Sequence, residues 1–271
     1  MTEKNKAKIE ENTEEVKPII AEEIANVKAT DPVEVAVAET TRGRGRPQRG
    51  RYERDKKEEF NINSWIPKTR VGLLVKEGKL KDIDEVLDKY KILEAEIVDA
   101  LIPVKTDLLS IGQSKGKFGG GKRRVWRQTQ KKTQEGNVAT FSCLAIVGDE
   151  NGHVGIGIGK AKETLPAREK ALRQAKLNLI RIDRACGSFD CSCTEKHSVP
   201  FKVEGKCGSA RLILSPAPQG TGLVVGDECK KILKLAGIKD VYGKSFGQTR
   251  TTINLAKACM AALQKTMEFR K

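Results

Sequence analysis

The sequence predicts an α+β chain of two small domains, preceded by a helical lead-in and a disordered N-terminal tail. Three observations carry that expectation. The chain has 271 residues, more than one typical domain and fewer than three. Its apolar residues change from helical to alternating spacing and back, twice over. Its charge is divided: residues 1–40 hold ten acids and five lysines, a net of −5, while the remaining 231 residues hold 46 basic and 26 acidic groups, a net of +20. The basic character therefore belongs to the part expected to fold.

An excess of Lys and Arg on this scale needs a polyanionic partner, because the chain otherwise repels itself. RNA, DNA and acidic membrane are the candidates. No run of eighteen or more apolar residues is present, so no membrane-spanning helix is expected. The start, Met1-Thr2-Glu3-Lys4, is charged with no apolar stretch behind it, so no signal peptide is expected. Seven cysteines, an odd number, read as reduced thiols or metal ligands and not as a disulfide framework.

Residues 1–59 form the expected tail, acidic first and then RG-rich. Their apolar residues are too sparse to offset chain entropy. Arg42, Arg44 and Arg46 lie in a glycine-spaced arm that reads either as a solvated linker or as a cationic strand that orders on nucleic acid. Residues 60–102 read as an all-helical lead-in. Trp65, Ile66, Val71, Leu73 and Leu74 open a helix marked by Pro67 and Thr69 and ended by Gly78. Ile83, Val86, Leu87 and Tyr90 recur at helical spacing, and a third short helix runs from Glu94 to Leu101, before Pro103.

Residues 103–184 make the first domain. From Gly112 to Lys132 there is no acid, and the run carries Lys115, Lys117, Lys122, Arg123, Arg124, Arg127, Lys131 and Lys132. Gly116, Gly119, Gly120 and Gly121 let a backbone approach phosphates closely, and the cations neutralise them. Trp126 suits either stacking on a base or packing beneath the loop. Thr140 to Val147 then reads as a strand covered on both sides or at one end, and Gly148 to Gly152 as a hairpin loop. The return strand, Val154 to Gly159, sets apolar residues on one face and glycines on the other, a flat surface for another backbone or for RNA. His153, in the turn, reads as a solvent or RNA contact. Lys160, Lys162 and Arg168 extend the candidate RNA-binding set. A helix is expected from Thr164 to Ile182, capped by Thr164, with Pro166 in its first turn and Leu165, Ala171, Leu172, Ala175 and Leu179 as its buried stripe.

Enzyme readings fail on spacing. The glycines from Gly155 to Gly159 precede Lys160, but a phosphate-binding loop needs four residues between its glycines and Ser or Thr after the Lys, and Ala161 follows here. A dinucleotide fingerprint opens a helix, whereas these glycines sit inside a strand pattern. Neither His lies in a nucleophile motif. No catalytic residue and no small-molecule substrate are expected.

Residues 185–198 are a Cys/His knot: Cys186-Gly-Ser-Phe-Asp-Cys191-Ser-Cys193-Thr-Glu-Lys-His197. Three thiolates and one imidazole form the ligand set of a structural zinc site, so one structural Zn on Cys186, Cys191, Cys193 and His197 is expected. The alternative is three reduced thiols in a linker. Cys207, ten residues past His197, ranks as a lesser substitute ligand. Residues 199–271 make the second domain. Phe201 to Val203 and Ala210 to Leu214 form a strand pair, and Ser215 to Gly222 a loop. A helix capped by Asp227 ends at Gly237, Ile238 to Tyr242 is a short strand, and Thr252 to Phe269 is a terminal helix with Ile253, Ala256, Met260, Leu263 and Met267 on one stripe.

Four segments carry a family resemblance. They are Ala145-Ile-Val-Gly-Asp-Glu-Asn-Gly-His-Val-Gly-Ile-Gly-Ile-Gly159 with Lys160-Ala-Lys-Glu163, then His197-Ser-Val-Pro-Phe-Lys-Val-Glu-Gly-Lys206, Ser215-Pro-Ala-Pro-Gln-Gly-Thr-Gly222 and Leu235-Ala-Gly-Ile-Lys-Asp-Val241. In order and spacing, the span from Trp65 onward resembles the universal small-subunit ribosomal protein S-five family of the archaeal and eukaryotic type. The cysteine knot points to the archaeal branch. The resemblance implies a double-stranded-RNA-binding-like domain, a three-stranded sheet with a helix, followed by a small α/β domain. It implies contact with small-subunit ribosomal RNA and neighbouring small-subunit proteins, with messenger RNA nearby, in the cytoplasmic ribosome and away from membrane. It also implies a position near the decoding region and the point where messenger enters, with an effect on translational accuracy. By position, Lys131 to Ser142 corresponds to the family's extended hairpin. Gln219 departs from the family's usual Arg in its Pro-Arg-Gly-Thr-Gly loop. The competing reading is a free factor that binds double-stranded RNA away from the ribosome.

Overall fold

The computed structural model describes residues 65–113 and 123–268. The tail, with Arg42, Arg44 and Arg46, and the segment with Lys115, Lys117 and Lys122 lie outside the described residues. The lead-in has three short helices: α1 (Arg70–Lys76), α2 (Ile83–Lys89) and α3 (Glu96–Leu101). Thr69 caps α1, its Oγ1 accepting from the Gly72 amide at 3.2 Å. The third helix starts two residues later than expected, because Glu94 has another task. Its buried carboxylate accepts from the Lys68 and Thr69 amides at 2.8 and 2.7 Å, satisfying donors at the start of α1.

The first sheet holds β1 (Lys105–Leu109), β2 (Arg127–Thr133), β3 (Gly136–Gly148), β4 (His153–Ala161) and β5 (Leu179–Arg181), with α4 (Thr164–Leu177) on one face. The strand order is β1-β3-β4-β5, and β2 pairs with the first half of β3; every pairing is antiparallel. The sheet therefore has five strands where the resemblance implied three. Sequence patterning misses β1 and β2. Both are mostly exposed and polar, so neither shows the alternation that marks a half-buried strand.

The glycine face of β4 receives the backbone of α4. A Cβ on Gly157 would stand 2.2 Å from Ala175 N and 2.3 Å from Ala171 O, and one on Gly159 2.0 Å from Ala167 O. Only a helix stripe of small residues fits such an approach, and the buried stripe is Ala167, Ala171 and Ala175. Leu165, expected in that stripe, is 59% exposed. The helix ends at Leu177, short of Ile182, because Leu179 to Arg181 pair with β4. Glu163 takes the cap position in place of Thr164, without a side-chain bond. Trp126 is half-buried against the cluster of Cys143, Ala145, Ala167 and Ala171, so it packs on the α4 face of the sheet.

The second sheet holds β6 (Val203–Cys207), β7 (Ala210–Pro216), β8 (Leu223–Val224) and β9 (Val241–Phe246), in the order β6-β7-β9-β8. Helices α5 (Asp227–Leu235) and α6 (Thr252–Glu268) accompany it. The first and third strands begin later than expected, and the two-residue β8 carries no readable pattern. Gly226, not Asp227, holds the α5 cap, and Asp227 and Glu228 sit in the first turn, where the helix dipole favours acids.

Together these elements form a two-domain α+β fold. One apolar cluster links the sheets, running from Leu109, Leu144 and Ile146 to Leu214, Ile232 and Leu233. Polar staples fix the joint. Arg184 donates to the carbonyls of Glu150, Asn151 and Gly237 at 3.1, 2.8 and 3.2 Å. Lys231 donates to the Leu108 carbonyl at 2.8 Å, and Glu228 accepts from the Ser110 amide at 3.1 Å. The lead-in is tied on by ion pairs from Lys176 to Asp99 at 2.6 Å and from Arg181 to Asp84 and Asp88 at 3.4 and 3.5 Å.

Gly157→Val should be the most damaging conservative change in the first domain. Its side chain has no space unless α4 leaves the sheet, so we expect a loss of about 3 kcal/mol or more. Denaturant unfolding measures it; an unchanged midpoint would contradict the close packing.

Candidate RNA interface and metal centre

Beyond Ala161 the third strand ends, and β2 and β3 continue alone as a hairpin. Five pairs, from Thr129↔Thr140 to Thr133↔Gly136, project about 17 Å past the sheet. This part has no apolar core; its rungs include a contact of 3.4 Å between the Thr129 and Thr140 hydroxyls. Residues opposite one another share a face. Arg127, Ser142 and Lys160 therefore form one row across three strands, with Lys131 farther out on the same side. That side is opposite α4. Lys132 points to the other face, and Lys162 follows the end of β4. Arg127, Lys131, Lys132, Lys160 and Lys162 are all exposed. Arg123 turns away from the hairpin and donates to the Arg250 carbonyl at 3.3 Å. Arg124 is exposed and its carbonyl accepts from the Gly112 amide at 2.7 Å. Arg168 is half-buried on α4, so the structure separates it from the hairpin row.

His153 is not a solvent contact. Its ring is nearly buried between two carboxylates, with Nδ1 2.6 Å from Asp149 Oδ2 and Nε2 2.8 Å from Asp84 Oδ1. Burial alone would lower its pKa, but the bonds to Asp149 and Asp84 outweigh burial and raise it. Burial alone would raise that of Asp149, but the His153 ring and the amides of Asn151 and His153 outweigh it and hold the carboxyl below its ordinary value. Asp84 comes from α2, so this cluster fastens the lead-in to the β3–β4 turn. Sequence gave no sign of it, since Asp84 and His153 are 69 residues apart.

The expected metal ligands do converge. One donor atom from each of Cys186, Cys191, Cys193 and His197 lies within 4.8 Å of every other. The Cys191 and Cys193 sulfurs are 3.1 Å apart, and the Cys191 sulfur is 3.7 Å from His197 Nε2. A tetrahedral site with ligands at zinc distances has edges of about 3.3–3.8 Å, so the donor set fits such an ion with small adjustments. Cys191 is held down to about 6, first by the Cys193 thiol and then by the Gln219 and Cys193 amides, while its partner Cys193 is pushed up to about 12 by Cys191.

His197 is 1% exposed, and its other ring nitrogen lies 2.8 Å from Asp240 Oδ2, although the ring N–H does not point straight at that oxygen. A carboxylate behind the imidazole is the usual outer partner of a metal-bound His. Asp240 also accepts from the Gly222 amide at 2.8 Å, and the His197 carbonyl accepts from the amides of Lys239 and Asp240 at 2.9 and 3.1 Å. Asp240 is the residue sequence reasoning missed here. Cys207, at the end of β6, pairs with Ala210 of β7 and stands outside the cluster.

Comparison with known proteins decides the lineage. The family description "Ribosomal protein S5, N-terminal domain" matches residues 125–183, and "Ribosomal protein S5, C-terminal domain" matches residues 205–271. The "Small ribosomal subunit protein uS5" of Nanoarchaeum equitans is 50% identical over 212 residues, 78% of this chain and 91% of the relative. The protein of the same name from Methanocaldococcus jannaschii is 47% identical over 219 residues, 78% and 94% of the two chains. That from Thermofilum pendens is 47% identical over 207 residues, 76% and 95% of the two chains. The chain belongs to the ribosomal protein S5 family. The relatives named here are archaeal, in line with the archaeal branch that the cysteine knot pointed to. A member of this family is a ribosomal protein and not an enzyme, in agreement with the failed glycine-loop readings. The hairpin lies within the S5 N-terminal match, and the Cys/His cluster falls between the two S5 matches.

The His153 cluster generates a pH dependence. Because the folded pKa of His153 is raised above 6.5, its contribution is fully present below that value and is lost as pH rises through the raised one. Because that of Asp149 is lowered from 3.8, its contribution is present above 3.8 and is lost as pH falls through the lowered value. An NMR titration of the His153 ring is expected to show a midpoint above the ordinary histidine value, accompanied by release of α2. A midpoint at or below the ordinary value would contradict this geometry.

Proposed function

We propose that the chain is a structural constituent of the small ribosomal subunit that binds ribosomal RNA and neighbouring ribosomal proteins. The observation that carries the reading is the projecting β2–β3 hairpin of an S5-family chain, with Arg127, Lys131 and Lys160 on the face opposite α4. A cationic ribbon without a core of its own suits insertion between phosphate-lined RNA segments. There Lys and Arg displace counterions, and the open backbone edge of β2 adds donors. A sheet with a helix on one face, and an opposite face that packs on the second domain near the β3–β4 turn and is open toward the hairpin, is compatible with the double-stranded-RNA-binding-like layout. Arg42, Arg44, Arg46, Lys115, Lys117, Lys122, Arg123, Arg124, Lys132, Lys162 and Arg168 complete the proposed RNA-facing set. The finer placement, near the decoding region and the path where messenger enters, with an effect on accuracy, rests on the family resemblance. In this reading the cytoplasmic ribosome is its site of action, and residues 185–198 divide an RNA-binding domain at 103–184 from a second domain at 199–271.

Two measurements test it. In sedimented cell extract the chain should travel with small subunits; a position near the top of the gradient would favour a free RNA-binding factor. Replacing Arg127, Lys131 and Lys160 by Ala should lower the salt slope of binding to duplex RNA by roughly two to three units. An unchanged slope would remove the hairpin from the interface.

The Cys/His cluster supports a second statement: it holds one structural zinc. The convergence of four soft or borderline donors, with Asp240 behind the imidazole, is what favours it. A closed four-ligand site would turn the inter-domain link into a rigid elbow and fix Phe189, fully exposed on its loop, against a partner. About one zinc per chain is expected on metal analysis, lost in Cys191→Ser/Cys193→Ser. Metal-free, fully folded wild-type protein would overturn the assignment.

A further inference from the structure

The second sheet has one face covered and one open. Leu212 and Leu214 on β7 are buried, and a Cβ on Gly205 of β6 would stand 2.0 Å from the Ala258 carbonyl of α6. The opposite side is exposed and follows from the strand register. It carries Lys206 on β6, Arg211 and Ile213 on β7, Tyr242, Lys244 and Phe246 on β9, and Val224 on β8. Val224, Tyr242 and Phe246 are 50%, 46% and 39% exposed, three of the exposed large apolar side chains among the described residues gathered on one surface. Such a patch marks a binding site more often than an idle surface.

We propose that this open face is a platform for single-stranded RNA, separate from the hairpin. Tyr242 and Phe246 lie four residues apart on one face of β9, about 13 Å along the strand. Lys244 stands between them, its ammonium 5.5 Å from the Phe246 ring centre. Aromatic faces on a sheet stack unpaired bases, and cations beside them hold the phosphates that connect those bases. Lys206, Arg211 and Lys244 face one acid, Glu204, across the same surface. Three cations against one acid make the face complementary to a phosphate backbone, and this charge balance is what favours RNA as the occupant. Arg123 adds a cation nearby: it donates to the carbonyl of Arg250, four residues past Phe246.

The test uses the full chain and a thiouridine-substituted oligouridine of about ten nucleotides, within the span one sheet platform covers. Irradiation and peptide mass spectrometry should place nucleotide adducts on Tyr242 or Phe246. Tyr242→Leu/Phe246→Leu keeps apolar area but removes the ring faces. Both residues are exposed, so its thermal midpoint should match wild type. In that variant the adducts should vanish and affinity for the oligomer should fall about 10-fold or more, with duplex binding unchanged. Adducts confined to other residues, or wild-type affinity in the leucine variant, would overturn the proposal. So would retained RNA binding with loss of association with a small-subunit protein, which would make the face a protein interface. The hairpin variant described above separates the two readings: it should weaken duplex binding and leave the platform adducts in place.

Discussion

Backbone-on-backbone packing of α4 against β4 is the constraint on which the first domain depends. Gly155, Gly157 and Gly159 present no side chains, and Ala167, Ala171 and Ala175 answer with the smallest side chain that still favours a helix. The approach leaves no space for slippage. A shift of β4 by one residue would turn Ile156 and Ile158 into the helix and the glycines outward. Register with β3 is thereby fixed as well, and with it the row of Arg127, Ser142 and Lys160. Because α4 occupies one side of the sheet, the face opposite it presents that cationic row.

Charge is distributed by the same logic. Several acids of the folded part are engaged internally: Asp99 with Lys176, Asp84 and Asp88 with Arg181, Asp149 with His153, and Asp107 with Lys231. Pairs that are exposed to water contribute little stability each. They sit toward the β3–β4-turn end of the sheet, away from the hairpin, whose exposed Lys and Arg set the field that RNA meets.

Beside the shared apolar cluster, fixed carbonyls and buried groups hold the joint between the domains. Arg184 reads three backbone carbonyls from the β3–β4 turn and the end of α5, a geometry a planar guanidinium can serve and an ammonium cannot. Nearby, His197 is enclosed with Asp240, which also reaches the Gly222 amide. The Cys/His cluster, the loop before β8 and the turn before β9 are therefore tied to one another. A metal there would act on the angle between domains and not on chemistry.

Much of this protein is legible in its sequence. Helices α1 and α2, the β3–β4 hairpin and α6 announce themselves by apolar spacing and by Pro, Gly and Thr at their ends. The four metal-type ligands announce themselves by residue type within twelve positions. These are local signals, fixed by propensity and short loops. Strands β1, β2 and β8 were not legible, because they are short or polar and exist only through partners elsewhere in the chain. In the stripe of α4 the spacing places Ala171, Ala175 and Leu179 inward as observed, but puts Leu165 where Ala167 belongs, for a related reason. Leucines outrank alanines in any hydrophobic count, and only the glycines of a different strand make small residues the ones that fit. His153 and Asp240 belong to the same class. Their roles come from carboxylates or rings 69 and 43 residues away, and such pairings are decided by tertiary packing, where burial makes an unpartnered polar group costly.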